Sequence, residues 1–250
     1  MKEKIKEKIK EKIIFVIPAY NEEKNIGIVI DEIRKDVKGA DIVVINDCSK
    51  DNTSSIVKEK GVPCITVPFN LRYSWALQTG IKYAYKNDYD KVIYFDGDGQ
   101  HIAKEAIKLI EKQLKTKADL VIGSRFLKAT DYKHPFFRKI GTKIFSIMIR
   151  VFCRKRISDP TSGFQIINKK LIKKFSEIGS MPEYPDANLI IELLLNDYKI
   201  EEVSVKMRLN NTGQSMHNGI IKPIKYMIKI FYSIIIIFIK YIGRKKENYE

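Results

Sequence analysis

Short runs of apolar, largely β-branched residues alternate with longer amphipathic segments through the first half of the chain, and this alternation limits the possible folds more than any other feature. The apolar runs predict strands at residues 13–17, 41–45, 62–67, 91–95 and 120–122. The segments between them predict helices, of which the first is capped by Asn21 and runs to about Val37. Strands that alternate with helices are typical of an α/β fold, with a mainly parallel sheet covered by helices on both faces.

Two carboxylates follow the fourth predicted strand, where the buried run ends in Asp96-Gly97-Asp98-Gly99-Gln100. Alternate residues of an extended chain point the same way, so Asp96 and Asp98 can aim at one point. Carboxylate and amide oxygens suit a hard divalent cation that is itself held by phosphates. The residues alone leave two interpretations open: a metal site that binds a nucleotide diphosphate, or a solvated turn, since Asp and Gly are ordinary turn residues.

Polar residues also follow the first and second predicted strands, at Tyr20-Asn21-Glu22 and at Asp47. In sheets of parallel strands, ligands bind beyond the carboxyl ends of the strands. Because these loops and the Asp96–Gln100 turn lie at such ends, we expect them to share one rim of the sheet. The sequence therefore predicts a binding site there.

The formal net charge is +16, which calls for a polyanionic neighbour such as nucleic acid, anionic lipid or a phosphorylated substrate. The basic residues are spread along the chain without an arginine-rich run or an aromatic-basic platform, so we expect no nucleic-acid partner. Cys48, Cys64 and Cys153 have no metal-binding spacing, which fits a reducing cytoplasm. The first twelve residues alternate charge with isoleucine and do not read as a signal peptide.

The two ends of the chain differ from its centre, and we predict a charged extension at 1–11, one domain at 12–217 and a tail at 218–250. The tail predicts an apolar helix with a polar stripe formed by Lys222, Lys225, Lys229, Ser233 and Lys240. Such a helix suits the membrane–water boundary, with lysine stems reaching toward an anionic membrane surface. The alternative is a helix packed on the domain with its lysines outward.

Five motifs in order resemble family 2 glycosyltransferases of the GT-A (Rossmann-like) fold, and within them the dolichyl- and undecaprenyl-phosphate sugar transferases. The resemblance covers roughly residues 12–217. The motifs are Ile17-Pro18-Ala19-Tyr20-Asn21-Glu22, Asn46-Asp47 with Asp51 and Thr53, Asp96-Gly97-Asp98-Gly99-Gln100-His101, Gly123-Ser124-Arg125 and Thr161-Ser162-Gly163-Phe164.

The resemblance implies a nucleotide-sugar donor and a divalent cation. It implies that the nucleotide sugar, a UDP- or GDP-sugar, is held by Pro18, Tyr20, Glu22, Asp47 and Asp96. It implies that Mg²⁺ or Mn²⁺ is held by Asp96, Asp98 and Gln100 and bridges the donor phosphates. A cation there would neutralise the charge that grows on the leaving diphosphate.

The resemblance also implies a set of acceptor and catalytic residues. Arg125 lies where this family places an arginine that faces the acceptor phosphate, and Arg138 and Arg208 are further candidates for that role. Asp159 resembles a family residue at the reaction centre, with the capping of its own loop as the alternative. Asp186 is where a general base could lie, with helix N-capping as the alternative.

The predicted function is an inverting, metal-dependent transfer of a hexose or N-acetylhexosamine to a polyprenyl phosphate by a peripheral protein at the cytoplasmic membrane face. Two alternatives are transfer to a sugar hydroxyl of a cell-surface glycan and a non-catalytic basic protein that binds membrane or nucleic acid. A small membrane-protein partner is a further expectation. The chain departs from the resemblance at Asn210, where an arginine is usual, and at Arg72-Tyr73-Ser74-Trp75, where glycines are frequent.

Overall fold

A computed structural model describes residues 11–127, 136–208 and 221–247, without the side chains of 136–139, 221–224 and 244–247. Most of the predicted extension at 1–11 and the Asn210 position therefore lie outside the described residues. Within them, the strands form one seven-stranded sheet in the order β3-β2-β1-β4-β6-β5-β7. The strands are β1 (Ile13–Ala19), β2 (Asp41–Asn46), β3 (Cys64–Thr66), β4 (Lys91–Tyr94), β5 (Leu120–Ser124), β6 (Gln165–Asn168) and β7 (Ile200–Ser204).

The sheet is mainly parallel, as predicted. At its centre Val16 of β1 pairs with Val43 of β2 on one side and with Tyr94 of β4 on the other, both in parallel register. β6 is the exception, because it runs antiparallel to both β4 and β5. The chain therefore enters β6 at the same edge where β4 and β5 end, which brings residues 159–164 to the rim that carries the predicted site.

Helices pack against both faces of this sheet. Alternate side chains of β1 point to opposite faces, with Ile14 and Val16 in one buried cluster and Phe15 and Ile17 in the other. The helices are α1 (Ile26–Asp36), α2 (Thr53–Glu59), α3 (Arg72–Lys86), α4 (Ala106–Thr116, after a 3-10 turn at Ala103–Glu105), α5 (Phe136–Cys153), α6 (Lys169–Ser176), α7 (Ala187–Leu195) and α8 (Ile221–Glu247).

One predicted helix start was wrong, and one helix was not predicted. Asn21 does not cap the first helix: its φ is +55° and its side-chain oxygen accepts a hydrogen bond from the Lys50 amide. The N-cap is Asn25, after a turn. α6 was not predicted, although Asn168 caps it by accepting a hydrogen bond from the Leu171 amide.

The C-terminal helix α8 belongs to the packed core along one of its faces. Ile230 and Ile234 are each 1% exposed and join the cluster formed with α3, α5, α6 and α7. The Asn188 amide donates a hydrogen bond to Ser233, and Lys229 forms an ion pair with Glu183. The helix therefore packs on the domain, as in the alternative interpretation, but Lys229 and Ser233 of the polar stripe contact the domain instead of pointing away from it. Another face of the helix stays exposed.

The contact between α3 and β1 depends on Gly80. A Cβ atom at Gly80 would lie 2.2 Å from Cγ1 of Val16, a fully buried side chain whose β-branch leaves it little room to turn. We expect Gly80→Ala to lower the free energy of unfolding by about 1–3 kcal/mol, measured by urea denaturation. Gly141→Ala is the matched control, because a Cβ there meets only the flexible Met227 side chain at 3.4 Å. A Gly80→Ala protein as stable as the control would contradict this packing.

Candidate active site

The loops that follow β1 and β2 are tied together into one wall. The Asn21 amide donates to Ser49 Oγ (2.9 Å), and the Glu22 amide donates to Thr53 Oγ1 (2.8 Å). Asp51 accepts from the Glu23 amide and from Thr53, so its carboxylate acts within the loop. The wall presents Tyr20, which is 46% exposed, as the predicted nucleotide-binding aromatic ring.

Asp47 lies at the base of this wall and is only 4% exposed. Its Oδ1 accepts a hydrogen bond from the Leu71 amide (2.6 Å) and its Oδ2 accepts one from the Arg72 amide (3.0 Å). Both carboxylate oxygens therefore fix the first residues of α3. The predicted contact of Asp47 with a nucleotide stays a prediction, and its observed contacts are with the protein.

The Asp96–Gln100 turn closes over the end of β1. A Cβ on Gly97 would lie 3.2 Å from the carbonyl oxygen of Pro18, so the turn and the predicted nucleotide-binding strand end are in close contact. Gly99 has a φ of +77°, which favours glycine. Asp98 accepts hydrogen bonds from the amide (3.0 Å) and the side-chain nitrogen of Gln100. This arrangement leaves the Gln100 side-chain oxygen available for a cation.

Carboxylates converge at this turn, and the pKa values of three of them are raised. Burial raises the pKa of Asp96 to about 6. Burial and then the charge of Asp96 raise the pKa of Asp98, and the pKa of Glu22 is raised by burial and, further, by the charges of Asp98, Asp51 and Asp96. A divalent cation would relieve this repulsion. The described residues contain no group of three or more His, Cys, Asp and Glu side chains placed to hold a metal, so the remaining ligands would be Gln100 and the donor phosphates.

His101 supports the turn from below, a role that the sequence analysis did not assign. It is 3% exposed and stacks on Phe164 with ring centroids 4.6 Å apart. Its Nδ1 accepts from the Asp96 amide (3.1 Å), and its Nε2 lies 3.5 Å from Asp96 Oδ2. Burial lowers its pKa to about 4, so at neutral pH the imidazole is uncharged and carries its proton on Nε2, toward the carboxylate.

Arg125 and Asp159 form a buried, bidentate ion pair. Arg125 Nε lies 2.6 Å from Asp159 Oδ2, and an Arg125 terminal nitrogen lies 2.7 Å from Oδ1. Asp159 is 0% exposed and Arg125 is 7% exposed. Glu202 of β7, another residue that the sequence analysis missed, accepts from the backbone amides of Ser158 and Asp159 and holds this loop. Asp159 therefore fixes Arg125. The nearby charge of Arg125 limits the rise in the pKa of Asp96 that burial causes.

The remaining predicted site residues are Asp186, Arg208 and Arg138. Asp186 is the N-cap residue of α7, but its side chain makes no capping bond and instead accepts from the Tyr226 hydroxyl. Arg208 forms two hydrogen bonds with Glu32 (2.9 and 3.0 Å) and reaches the carbonyl of Gly99. Arg208 thus holds the Asp96–Gln100 turn against α1. The Arg138 side chain lies outside the described residues. The acceptor roles of Arg138 and Arg208 stay predictions.

The fold and rim agree with one known family. The family described as Glycosyl transferase family 2 matches residues 14–176, which is more than half of the chain. The chain belongs to glycosyl transferase family 2.

Characterised relatives narrow the identification of this glycosyltransferase. It is 29% identical over 244 residues to the UDP-N-acetylglucosamine–dolichyl-phosphate N-acetylglucosaminyltransferase of Methanococcus voltae, over 90% of this chain and 95% of that one. It is 22% identical over 213 residues to the polyprenol monophosphomannose synthase of Mycolicibacterium smegmatis, over 82% of this chain and 80% of that one. The chain is therefore a family 2 glycosyltransferase related to polyprenyl-phosphate sugar transferases, which does not fit the non-catalytic interpretation.

A solved structure confirms the predicted GT-A fold. Glucosyl-3-phosphoglycerate synthase from Mycobacterium tuberculosis, in complex with Mn²⁺, UDP-glucose and phosphoglyceric acid, matches with a TM-score of 0.66. The identity is 19%, and the match covers 92% of this chain and 80% of that structure. At this identity the likeness concerns the fold alone.

The buried ion pair of this glycosyltransferase yields a stability prediction. Asp159→Asn keeps the side-chain size but leaves the Arg125 charge without its buried partner, so we expect the free energy of unfolding to fall by about 3–5 kcal/mol. Urea denaturation followed by circular dichroism measures this change. Asp31→Asn is the control: Asp31 is 57% exposed where it pairs with Lys60, and its loss should change stability by less than about 1 kcal/mol. Equal stability of the two variants would refute the structural role of Asp159.

Proposed function

We propose that this protein is an inverting glycosyltransferase that transfers a hexose or N-acetylhexosamine from a UDP- or GDP-sugar to a polyprenyl phosphate such as undecaprenyl phosphate. An oxygen of the acceptor phosphate attacks the anomeric carbon, the bond from that carbon to the donor diphosphate breaks, and the nucleoside diphosphate leaves. The observation that carries the proposal is the position of Arg125, a nearly buried cation held beside the acidic turn of Asp96 and Asp98.

The donor binds, in this proposal, across the rim formed by the β1 and β2 loops and the acidic turn. Tyr20 is exposed and able to stack on the base, and Pro18 and Glu22 border the Asp96–Gln100 turn. Asp47 acts indirectly, because its carboxylate fixes the first residues of α3.

Asp96, Asp98 and Gln100 would hold Mg²⁺ or Mn²⁺, and the residues fit such an ion. Burial of both carboxylates, and the charge of Asp96 beside Asp98, make the negative charge of Asp96 and Asp98 unfavourable without a cation. When bound, the cation supplies charge neutralisation for the departing diphosphate. The protein contributes the fixed turn, through the Gln100 bonds to Asp98 and the His101 contacts to Asp96.

The acceptor in this proposal is an anion that needs no general base. A sugar hydroxyl would have to lose its proton to a base, whereas a phosphate is already charged at neutral pH. Asp159 is inaccessible and bonded to Arg125, which supports its assignment as a positioning residue instead of a base. Arg125, held by Asp159, supplies positive charge at this rim, and a guanidinium is a type of cation that suits phosphate oxygens.

Asp98→Asn tests the metal assignment. We expect the transfer rate with Mn²⁺ to fall at least about 100-fold while the circular dichroism spectrum is unchanged, because the leaving diphosphate loses its neutralising cation. Asp88→Asn is the control, because Asp88 is 84% exposed in a surface pair with Lys169 and should retain full activity. Wild-type turnover by Asp98→Asn would contradict the assignment.

A transfer assay with labelled donor distinguishes the polyprenyl phosphate acceptor from the sugar-hydroxyl acceptor. Membranes are incubated with labelled donor, and the label is followed into lipid and glycan fractions. An acid-labile, lipid-linked monosaccharide supports the polyprenyl phosphate. Label found on a glycan with no such intermediate would refute it and support the sugar-hydroxyl alternative.

We also propose that α8 and α5 together bind the cytoplasmic face of the membrane. The helical segment Lys225–Gly243 is long and apolar enough to cross a membrane, with a mean hydropathy of 1.7. Only 11% of this segment is buried within the protein. Ile228, Phe231 and Ile239 lie exposed on α8. The Phe238 ring of α8 lies 4.4 Å from that of Phe152 on α5.

The neighbouring helix α5 extends this apolar surface. Ile140, Ile144, Ile147 and Val151 are 41–67% exposed and recur at helical spacing. Because Ile230 and Ile234 bury the opposite face of α8, the protein rests on the bilayer through one face of the helix. The free cysteines fit the cytoplasmic side.

Replacement of the exposed α8 side chains tests membrane binding without exposing the core. We expect the combined variant Ile228→Ser, Phe231→Ser, Ile239→Ser to bind vesicles of anionic lipid at least about 10-fold more weakly in sedimentation. Ile178→Ser is the control, because Ile178 is an equally apolar, 81% exposed side chain outside this surface. Unchanged binding by the triple variant would contradict the proposal, and binding only to native membranes would favour a membrane-protein partner.

A further inference from the structure

Three buried side-chain polar atoms of the described residues have no hydrogen-bond partner, and two of them, on Tyr73 and Asp96, lie close together at the acidic turn. Among the described residues, such side-chain atoms are the hydroxyl oxygens of Tyr73 and Tyr94 and Oδ1 of Asp96. Two of them are hydrogen-bond donors and the third is a carboxylate acceptor. An unpaired buried polar group is costly, so a donor and an acceptor that lie close together at the rim of a binding site indicate a hydrogen bond between them.

Gly163 shows how closely Tyr73 and Asp96 approach one another. A Cβ atom at Gly163 would lie 3.2 Å from the Tyr73 hydroxyl, 3.5 Å from Asp96 Oδ2 and 3.7 Å from Asp96 Oδ1. The phenol and the carboxylate therefore face the same point, and only a residue without a side chain leaves the space between them open. A tyrosine hydroxyl carries its proton at neutral pH, so Tyr73 can donate a hydrogen bond to this carboxylate.

Tyr73 is held in this position by the first turn of α3. Arg72 adopts a φ of +67°, a left-handed conformation that glycine adopts easily and arginine does not. The Arg72 amide is fixed by Asp47, and its guanidinium pairs with Glu183 at 3.1 Å. Ser74 donates to the Pro182 carbonyl at 2.6 Å. These contacts on both sides of Tyr73 overcome the cost of the strained backbone and direct its ring inward.

We propose that Tyr73 is a positioning residue for Asp96, and this inference rests on the proposed function. The Tyr73 hydroxyl donates a hydrogen bond to Asp96 Oδ1, which would fix the orientation of the carboxylate that holds the divalent cation. His101 steadies the carboxylate from the Oδ2 side, where its Nε2 lies at 3.5 Å. The phenol stands in the segment 72–75, where this chain carries Arg-Tyr-Ser-Trp instead of glycines.

Tyr73→Phe tests this inference, because it removes the hydroxyl and keeps the ring. Mn²⁺ binding to the full chain is measured by electron paramagnetic resonance, with UDP and with GDP. We expect the Mn²⁺ affinity to fall about 10-fold or more, since a hydrogen bond to a charged group is lost. Gly163→Ala should weaken Mn²⁺ binding as well, because the added methyl separates the two groups without removing either.

Tyr94→Phe is the matched control, since it removes the other unpartnered buried hydroxyl and should leave Mn²⁺ affinity unchanged. Wild-type affinity in Tyr73→Phe, or an equal loss in Tyr94→Phe, would overturn the inference while leaving the proposed function intact. Absence of Mn²⁺ binding by the wild-type protein with either nucleotide would instead overturn the proposed function, and this inference with it.

Discussion

The crowding of buried carboxylates at one edge of the sheet is the constraint on which the rest of this structure depends. Burial raises the pKa values of Asp96, Asp98 and Glu22, and the charge of Asp96 adds to the rise at Asp98 and at Glu22. The fold tolerates this arrangement because the Gln100 amide and side chain donate hydrogen bonds to Asp98, and the neutral His101 places Nε2 3.5 Å from Asp96 Oδ2. A protein that concentrates uncompensated negative charge at the rim of a parallel sheet is prepared to bind a cation.

The Asp96–Gln100 turn is supported by contacts from separate parts of the chain. Pro18 at the end of β1 packs against Gly97, and Arg208 reaches the carbonyl of Gly99 while it pairs with Glu32 of α1. Phe164 stacks on His101 from the entry to β6. The antiparallel course of β6 makes this possible, because it returns residues 159–164 to the edge where β4 and β5 end. The positive charge of Arg125 reaches the same edge, held by Asp159.

Helix α8 has one face in the core and another face at the protein surface. Its inner face contributes Ile230 and Ile234 to the core, and its polar contacts fix it to α7 through Ser233 and to the segment before α7 through Lys229. Its outer face is apolar and exposed. The same segment before α7 binds Arg72 through Glu183, so the helix proposed to contact the membrane and the wall of the active site share a common support.

The sequence by itself determined the class of fold and the acidic turn, because strand and helix periodicity and the Asp-x-Asp spacing are local properties of the chain. It also indicated Arg125 through its motif, although the partner role of Asp159 became visible only in the structure. Tertiary structure alone decided the burial of Asp159, the inward position of Tyr73 and the division of α8 into a buried and an exposed face. Each of these depends on contacts between residues far apart in the chain, and hydrophobic pattern and spacing carry no record of which distant group supplies the partner of a buried charge or hydroxyl.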